Sequence, residues 1–335
     1  KNLFAVSIAN TGTDISKHPL VKEADIIHLH WINQGFLSLA DIRKLIESGK
    51  PVVWTTHDMW PFTGICHHAR DCSDFSRMCR KCFFLNSTTS KLPATIFTEK
   101  AEYIYQNKIH LVGCSQWITN KMRESVLSKD KNILSFPNPI DTHVFKQTNK
   151  TEARQKLNLP AGKKLILFGA LITTDKRKGI DYLFQALNAL HSENIELVVF
   201  GQVKDNIGER LYFKINSMGY LTNNEQIVAL YNAADIFVTA SLEENLPNTI
   251  MEAMACGTPC AGFNVGGIPE MIDHKQNGYV AEYKNSEDLA AGIEWVLENT
   301  EKLGLSKACV KKVKENYSES VVAEKYISLY ADLMK

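Results

Sequence analysis

The chain has 335 residues, of which 44% are hydrophobic and 22% are charged, and its formal net charge is +1. This composition is typical of a soluble globular protein and excludes the disordered and fibrous classes. A net charge so close to zero also gives no global electrostatic reason to bind nucleic acid or an acidic membrane surface.

The first half of the chain alternates short apolar runs with helical patterns, which is typical of β-α units around a parallel sheet. Strands are predicted at Leu3–Ala9, Ala24–His30, Pro51–Thr56, His110–Cys114 and Asn132–Phe136. Helices are predicted at Ser38–Ser48, Pro93–Gln106 and Ser115–Leu127. Because these strands are few, we expect the first domain to lack its natural beginning.

The second half restarts the same alternation. Strands are predicted at Lys164–Phe168, Glu196–Phe200, Ile236–Thr239 and Thr258–Phe263. Helices are predicted at Ile180–His191, Asn224–Ala233, Asn248–Ala255 and Ser286–Asn299. No apolar run reaches the roughly 18 residues of a membrane-spanning helix, so we expect a cytoplasmic protein, with peripheral association at the inner membrane face left open.

A polar stretch from Asn138 to Ala161 predicts the boundary between two α/β domains. We assign residues 1–145 to a first Rossmann-like domain with a cysteine-rich insertion at 59–91, and residues 146–320 to a second. Residues 321–335 are predicted to form a helix that packs back on the first domain. Ligands of open parallel sheets bind beyond the carboxyl ends of the strands, so we expect the domains to face each other across a binding cleft.

The segment EENLPNTIMEAMACGTP, Glu244–Pro259, carries the clearest chemical pattern. Pro247 suits the first turn of a helix and Gly257 suits its C-terminal cap. The amides near the start of that helix form an anion site that would fit a diphosphate. Glu244 and Glu252 supply carboxylates, whose paired oxygens suit the vicinal hydroxyls of a sugar and a ribose.

Two further segments support a phosphate-binding interpretation. The run GALITTDKRKGIDYL places Arg177 and Lys178 after the first strand of the second domain, where cations can neutralise a departing diphosphate. The run NVGGIPEM places Gly266 and Gly267 after a later strand, where glycines allow a close approach of the backbone.

In these motifs the sequence resembles the retaining glycosyltransferases of family 4, which have the GT-B fold. The family's Glu-x7-Glu motif matches Glu244 and Glu252, and its Lys-Gly pair matches Lys178-Gly179. The run SLEENLPNTIMEAMACGTPC resembles the family's SxxEG...EAMACGTPV segment. The resemblance covers nearly the whole second domain, and it implies that a nucleoside-diphosphate sugar binds there as donor.

The resemblance also implies roles for individual residues. Glu244 would contact the donor sugar, Glu252 the ribose and Lys178 the diphosphate, with backbone amides from Asn245 and Leu246. Pro247 and Asn248 complete the donor-binding turn. The other donor-binding residues implied by the resemblance are Gly169, Arg177, Gly219, Tyr220 and Leu221.

One position departs from the family pattern. Many members carry arginine after the glycine of the first strand, whereas here Gly169 is followed by Ala170. We expect Arg177 to take over that phosphate contact. The segment MGYLTNNE resembles the one that lines the nucleotide base, and it does not identify which base is preferred.

The run VVWTTHDMWPFTG resembles the family's TxHD segment. The resemblance implies that His57 approaches the transferring sugar as a catalytic residue, with Asp58 on the acceptor side. The alternative interpretation of His57 is a structural hydrogen bond at a strand end. Trp60, in the insertion that follows, is an acceptor-side candidate, because its aromatic ring could line an acceptor groove or pack within the insertion.

Four cysteines, Cys66, Cys72, Cys79 and Cys82, follow a C-x5-C-x6-C-x2-C spacing. Four thiolates suit tetrahedral zinc, and the C-x2-C pair supplies two of them by local geometry. A reduced or redox-active cluster and a pair of disulfides are the alternatives. None of the three would make the cluster catalytic.

The motifs together predict a retaining transfer of sugar to a glycan or lipid-linked acceptor hydroxyl, in surface polysaccharide biosynthesis, without a catalytic metal and without nucleic acid as partner. A nucleotide-sugar epimerase is the alternative within the same architecture. An inactive sugar-nucleotide-binding module is the alternative from a different class, favoured by Ala170. A dehydrogenase is disfavoured, because no Gly-x-Gly-x-x-Gly follows a strand.

Overall fold

The structure, a computed structural model, describes residues 5–85, 91–106, 108–172, 176–190, 192, 194–202 and 211–335. It separates into two compact units. Unit 1 comprises Lys1–Pro137 and Glu324–Lys335, and unit 2 comprises Asn138–Ala323.

Unit 1 is built on a four-stranded parallel sheet in the order β1-β2-β3-β4. The strands are β1 (Ile27–Leu29), β2 (Val52–Thr56), β3 (His110–Gly113) and β4 (Ile133–Ser135). The helices are α1 (Pro19–Glu23), α2 (Leu39–Ile46), α3 (Leu92–Lys100) and α4 (Gln116–Glu124), and α3 continues into a π-helical turn at Ala101–Tyr105. All five residues of β2 are buried, as expected for a central strand of a parallel sheet.

The predicted strand at Leu3–Ala9 is the least well matched element of unit 1. Its first two residues lie outside the described part of the chain. Within residues 5–9 the structure has no strand, and Val6 forms only an isolated antiparallel bridge with Cys66. The apolar run therefore packs against the cysteine-rich insertion and does not join the sheet.

Unit 2 contains a six-stranded parallel sheet in the order β10-β9-β8-β5-β6-β7. Its strands are β5 (Lys164–Ile172), β6 (Ile195–Gln202), β7 (Ile215–Ser217), β8 (Ile236–Thr239), β9 (Cys260–Phe263) and β10 (Gly278–Ala281). Its helices are α5 (Lys150–Lys156), α6 (Ile180–Asn188), α7 (Asn224–Ala233), α8 (Asn248–Ala255), α9 (Ile268–Met271), α10 (Ser286–Leu303) and α11 (Leu305–Asn316). A last helix, α12 (Glu319–Leu333), begins in unit 2 and continues into unit 1.

Five elements of unit 2 were not predicted: α5, α9, α11, β7 and β10. Helix α5 lies in the stretch interpreted as a polar boundary, and it is held by Arg154, whose guanidinium bonds to Asp235 at 2.7 Å and to the carbonyl of Ala233 at 2.9 Å. Strand β10 is a short strand at one edge of the sheet, and β7 is a short strand at the other edge with no distinct apolar pattern. Among the described helices, none is long and apolar enough to cross a bilayer.

Candidate functional site

The carboxyl ends of β5 and β8 bring together two of the predicted residues. Lys178 lies after β5 and Glu244 after β8, and the Lys178 ammonium contacts the Oε1 atom of Glu244. The hydroxyl of Ser241 donates a second hydrogen bond to the same oxygen, at 3.1 Å. The side chain of Lys178 is 34% exposed and that of Glu244 is 16% exposed, so the pair is accessible but partly shielded from water.

Two glycines allow the loops around this pair to pack closely. Gly179 has φ +60°, and a Cβ atom there would lie 1.9 Å from the carbonyl oxygen of Ala240. Gly266 has φ +59°, and its Cβ would lie 1.8 Å from the carbonyl oxygen of Glu244. Any larger residue at either position would have to displace backbone, so these glycines fix where Glu244 lies.

Backbone hydrogen bonds hold the same loops. The amide of Leu242 donates to the carbonyl of Arg177 at 2.6 Å, and the amide of Gly267 donates to the carbonyl of Asn245 at 2.6 Å. These bonds join the loops after β5, β8 and β9. The structure therefore places Arg177 beside the Lys178–Glu244 pair through its main chain.

Helix α8 begins directly after this loop, with Pro247 as its N-cap. The side chains of Asn245 and Leu246 are buried, whereas that of Asn248 is exposed and accepts a hydrogen bond from Asn138 at 3.3 Å. Any contact of Asn245 and Leu246 with a sugar-nucleotide substrate would therefore come from their backbone, as the family resemblance implies. The N-terminus of α8 also carries the positive end of the helix dipole.

Glu252 lies one turn into α8 and is bound by the hydroxyl of Tyr231, which donates to its Oε2 atom at 2.8 Å. Burial raises the pKa of Glu252 and outweighs the opposing effect of the Tyr231 hydrogen bond. Tyr231 itself is fully buried. The carboxylate is thus held in one orientation by a rigid partner.

The remaining donor-binding candidates lie at the same edge of the unit 2 sheet. A Cβ atom at Gly169, on β5, would lie 2.2 Å from the ring of Phe200, which explains the glycine by packing alone. Gly219 follows β7, and its carbonyl accepts from the amide of Gly201 at 2.7 Å. Tyr220 is 59% exposed and Leu221 is half-buried. No described hydrogen bond links 219–221 to the Lys178–Glu244 pair.

Unit 1 contains a histidine cluster, formed by His28, His30 and His57. The Nδ1 atom of His30 lies 3.0 Å from the Nε2 atom of His57. The ring of His28 packs on that of His30, with centroids 4.2 Å apart. Burial lowers the pKa of all three histidines, that of His28 to about 4. They are therefore neutral at pH 7.

Side chains from distant segments hold the cluster. His28 bonds through Nε2 to the hydroxyl of Thr55 at 2.8 Å, and through Nδ1 to the hydroxyl of Tyr330 at 2.6 Å. The hydroxyl of Thr55 also lies 2.8 Å from that of Tyr326. Sequence reasoning identified His57 and missed the others. The only local signal was the His-x-His pattern of His28 and His30 at a strand end.

Asp58 and Trp60, predicted on the acceptor side, are buried inside unit 1. The carboxylate of Asp58 accepts from Trp31 Nε1 at 2.9 Å, from the Trp60 amide at 2.8 Å, and bonds to His67 Nδ1 at 2.7 Å. Trp60 is only 1% exposed. Both residues hold the loop after β2, and their acceptor-side role stays a prediction.

The aromatic ring of Trp60 has a buried cation as its neighbour. The ammonium of Lys100 lies 3.5 Å from the Trp60 ring centroid, and it donates to the carbonyls of Thr63 and Gly64 at 3.0 and 3.1 Å. Burial lowers the pKa of Lys100 to about 7. Lys100 thereby satisfies carbonyls at the start of the cysteine-rich insertion.

The four clustered cysteines are free thiols, with Cys66 and Cys79 buried and Cys72 and Cys82 half-buried. The amide of Gly64 donates to Cys79 Sγ at 3.2 Å. In the described ranges, no three His, Cys, Asp or Glu side chains lie where they could hold a metal ion together. The positions of the thiols therefore do not support zinc, which stays a prediction from the spacing.

Comparison with known proteins identifies the family. Residues 149–315 match the family model described as glycosyl transferases group 1. An uncharacterized glycosyltransferase of Methanocaldococcus jannaschii is 29% identical, over 65% of this chain and 60% of that protein. The chain spans 53–60% of the length of the first three curated relatives that it matches.

Two solved structures show the same fold. A glycosyltransferase from Rickettsia africae superposes with a TM-score of 0.73 at 19% identity, covering 98% of this chain and 82% of that one. Anabaena HepE in complex with UDP superposes with a TM-score of 0.69 at 16% identity, covering 93% and 80%. The chain has the GT-B fold and belongs to the glycosyl transferases of group 1.

Proposed function

We propose that this chain is a retaining glycosyltransferase that uses a nucleoside-diphosphate sugar as donor. The observation that carries the proposal is the Lys178–Glu244 pair beside the N-terminus of α8. A cation, a carboxylate and a helix N-terminus are the groups that a diphosphate and a sugar require. The UDP and UDP-glucose complexes of Anabaena HepE make uridine nucleotides the first donors to test.

The pair suggests how the ligand is received. Without a ligand, Lys178 and Glu244 neutralise each other. An incoming diphosphate would draw the Lys178 ammonium away, and this would leave Glu244 able to accept hydrogen bonds from the sugar hydroxyls. Lys178, Arg177 and the amides of α8 would then stabilise the negative charge of the leaving diphosphate.

The remaining roles follow the family resemblance of the motifs. Glu252, held by Tyr231, would accept hydrogen bonds from the ribose. His57 would act at the transferring sugar, and a hydroxyl of a glycan or lipid-linked acceptor would attack with retention of anomeric configuration. We place this reaction in surface polysaccharide assembly, on the basis of the resemblance alone.

The test compares nucleotide binding with turnover in three variants. Lys178→Met should weaken UDP binding about 10- to 100-fold, because a charge-assisted hydrogen bond is lost. Glu244→Gln should bind UDP at least as tightly as the wild type, because Lys178 loses its competing partner. It should also lower the transfer rate by about 100-fold or more. Glu294→Gln, on the exposed face of α10, is the matched control.

Binding is measured by calorimetry with UDP, GDP and ADP, and turnover by release of the nucleotide from the corresponding sugar nucleotides. Tight binding without any turnover would identify an inactive binding module. Epimerised sugar nucleotide formed without an acceptor would identify an epimerase. A wild-type chain that binds none of the three nucleotides would contradict the proposal as a whole.

A further inference from the structure

Unit 1 contains a small cavity with both polar and apolar lining beyond the ends of β1 and β2, which we call the notch. Its volume is about 10 Å³, enough for a single water molecule or a single hydroxyl group. Its polar lining comes from His30, Asn33, Thr55, His57 and Asp58, and its apolar lining includes Trp31, Trp54 and Trp60.

Asn33 is the unusual residue of this lining. It is only 5% exposed, and its Oδ1 atom is buried without a hydrogen-bond partner. A buried acceptor without a partner costs about 1–3 kcal/mol, so such groups are rare unless something binds them. Asn33 therefore supplies a hydrogen-bond acceptor that the protein itself does not use.

The backbone that carries Asn33 is also strained. In the turn that follows, Gln34 has φ +58° and Gly35 has φ +87°. A left-handed conformation is unfavourable for a residue with a side chain such as glutamine. Strain of this kind persists where the surrounding structure enforces it, and it is concentrated at binding sites.

The histidines of the notch complement this acceptor. His30 and His57 are neutral at pH 7, and each neutral imidazole has one N–H donor and one acceptor nitrogen. Their 3.0 Å contact uses a single proton. Thr55 and Tyr330 hold the ring of His28, on which the ring of His30 packs. The notch thus combines an amide acceptor with imidazole groups.

Trp31 forms an exposed wall beside these polar groups. It is 40% exposed, and its indole N–H is held by Asp58 at 2.9 Å. A fixed aromatic face next to hydrogen-bonding groups suits a sugar ring, whose C–H face is apolar and whose edge carries hydroxyls.

We propose that the notch binds one hydroxyl group of a sugar, whose O–H donates to Asn33 Oδ1 while its ring lies against Trp31. This inference rests on the proposed function and names Asn33 as a specificity-determining residue in unit 1. The hydroxyl belongs either to the donor sugar or to a sugar acceptor. Both sources offer the same chemistry, and kinetics distinguish them.

The test replaces Asn33 by leucine, which has a similar shape and no acceptor. Because the unpartnered Oδ1 destabilises the free protein, Asn33→Leu should raise Tm by about 2–4 °C. It should also raise KM about 10- to 100-fold for the molecule that places a hydroxyl in the notch. Asn33→Asp, which keeps an acceptor oxygen, should retain most of the affinity. Phe36→Leu, exposed in the same turn, is the control.

Two assays are used. The first contains UDP-glucose alone and measures its hydrolysis, and the second contains UDP-glucose with octyl glucoside as acceptor and measures transfer. A KM change for UDP-glucose hydrolysis assigns the hydroxyl to the donor, and a change only for octyl glucoside assigns it to the acceptor. Unchanged KM values for both substrates in Asn33→Leu would contradict the proposal, whatever the change in Tm. UDP affinity should stay unchanged in every variant, because the notch is proposed to bind a sugar hydroxyl and not the nucleotide. A wild-type chain that does not bind UDP would contradict the glycosyltransferase proposal and not the proposal for the notch alone.

Discussion

The Lys178–Glu244 pair of unit 2 and the histidine cluster of unit 1 are organised by different forces. The pair is charged, and it is positioned by backbone contacts that only glycine permits at Gly266. The cluster is neutral, and it is positioned by side-chain hydrogen bonds such as that between Tyr330 and His28. A displaced backbone should therefore disrupt the Lys178–Glu244 pair as a whole. A single substitution in the histidine cluster should remove only the stability contributed by one hydrogen bond.

The largest effect is expected from Gly266→Ala. A Cβ atom would lie 1.8 Å from the carbonyl oxygen of Glu244, so the loop must move. We expect a loss of about 3 kcal/mol in the free energy of unfolding and loss of sugar-nucleotide turnover. Gly304→Ala is the control, because Gly304 has φ +67° with no atom within 4 Å of the added Cβ, and should lose only about 1 kcal/mol. Urea unfolding measures both variants. Equal losses of unfolding free energy in Gly266→Ala and Gly304→Ala would show that the close approach of Gly266 to the Glu244 carbonyl does not matter for stability.

A smaller effect is expected from Tyr330→Phe. This change removes the hydroxyl that lies 2.6 Å from His28 Nδ1, and one hydrogen bond contributes about 1 kcal/mol to stability. Thermal unfolding should show this loss, whereas Tyr212→Phe should show none, because Tyr212 is 92% exposed. An unchanged Tm for Tyr330→Phe would mean that α12 does not hold the cluster.

The smallest effect concerns pH. Burial lowers the pKa of His28 to about 4, whereas an unfolded histidine has a pKa near 6.5. Between these values the unfolded chain binds more protons, so stability that is present above pH 6.5 is lost as the pH falls toward 4. In His28→Gln the fall in Tm from pH 7.5 to 6.0 should be smaller by about 2 °C. His143→Gln, at an exposed position of unit 2, should leave the fall as it is in the wild type.

The two regions also differ in how far they could be predicted. The donor segment is local: Pro247 and Gly257 bracket a helix in the sequence, and α8 runs over Asn248–Ala255 as predicted. The match to the family of group 1 enzymes extends across the same region. Capping preferences and helix amides act over a few residues, so the sequence alone carries this information.

The histidine cluster could not be predicted in the same way. Its hydrogen bonds join residues 27 and 302 positions apart, as between His28 and Thr55 or Tyr330. Such contacts depend on the order of the strands and on where α12 packs. Trp60 shows the same limit, because its aromatic ring fits a groove or a core equally well in the sequence and only the fold shows that it is buried.

Helix α12 has a consequence for how the molecule can be divided. Unit 2 is one continuous segment, Asn138–Ala323, whereas unit 1 is formed by two segments on either side of it. Unit 2 therefore has the chain layout of a domain inserted into unit 1. An expressed fragment of unit 2 needs only one new N-terminus and one new C-terminus. A fragment ending at Pro137 would lack Tyr326 and Tyr330, so it would lose two of the hydroxyls that hold the histidine cluster. Recombination that exchanged unit 2 between related enzymes would therefore need two crossover points, and the second would lie inside α12, between Ala323 and Glu324.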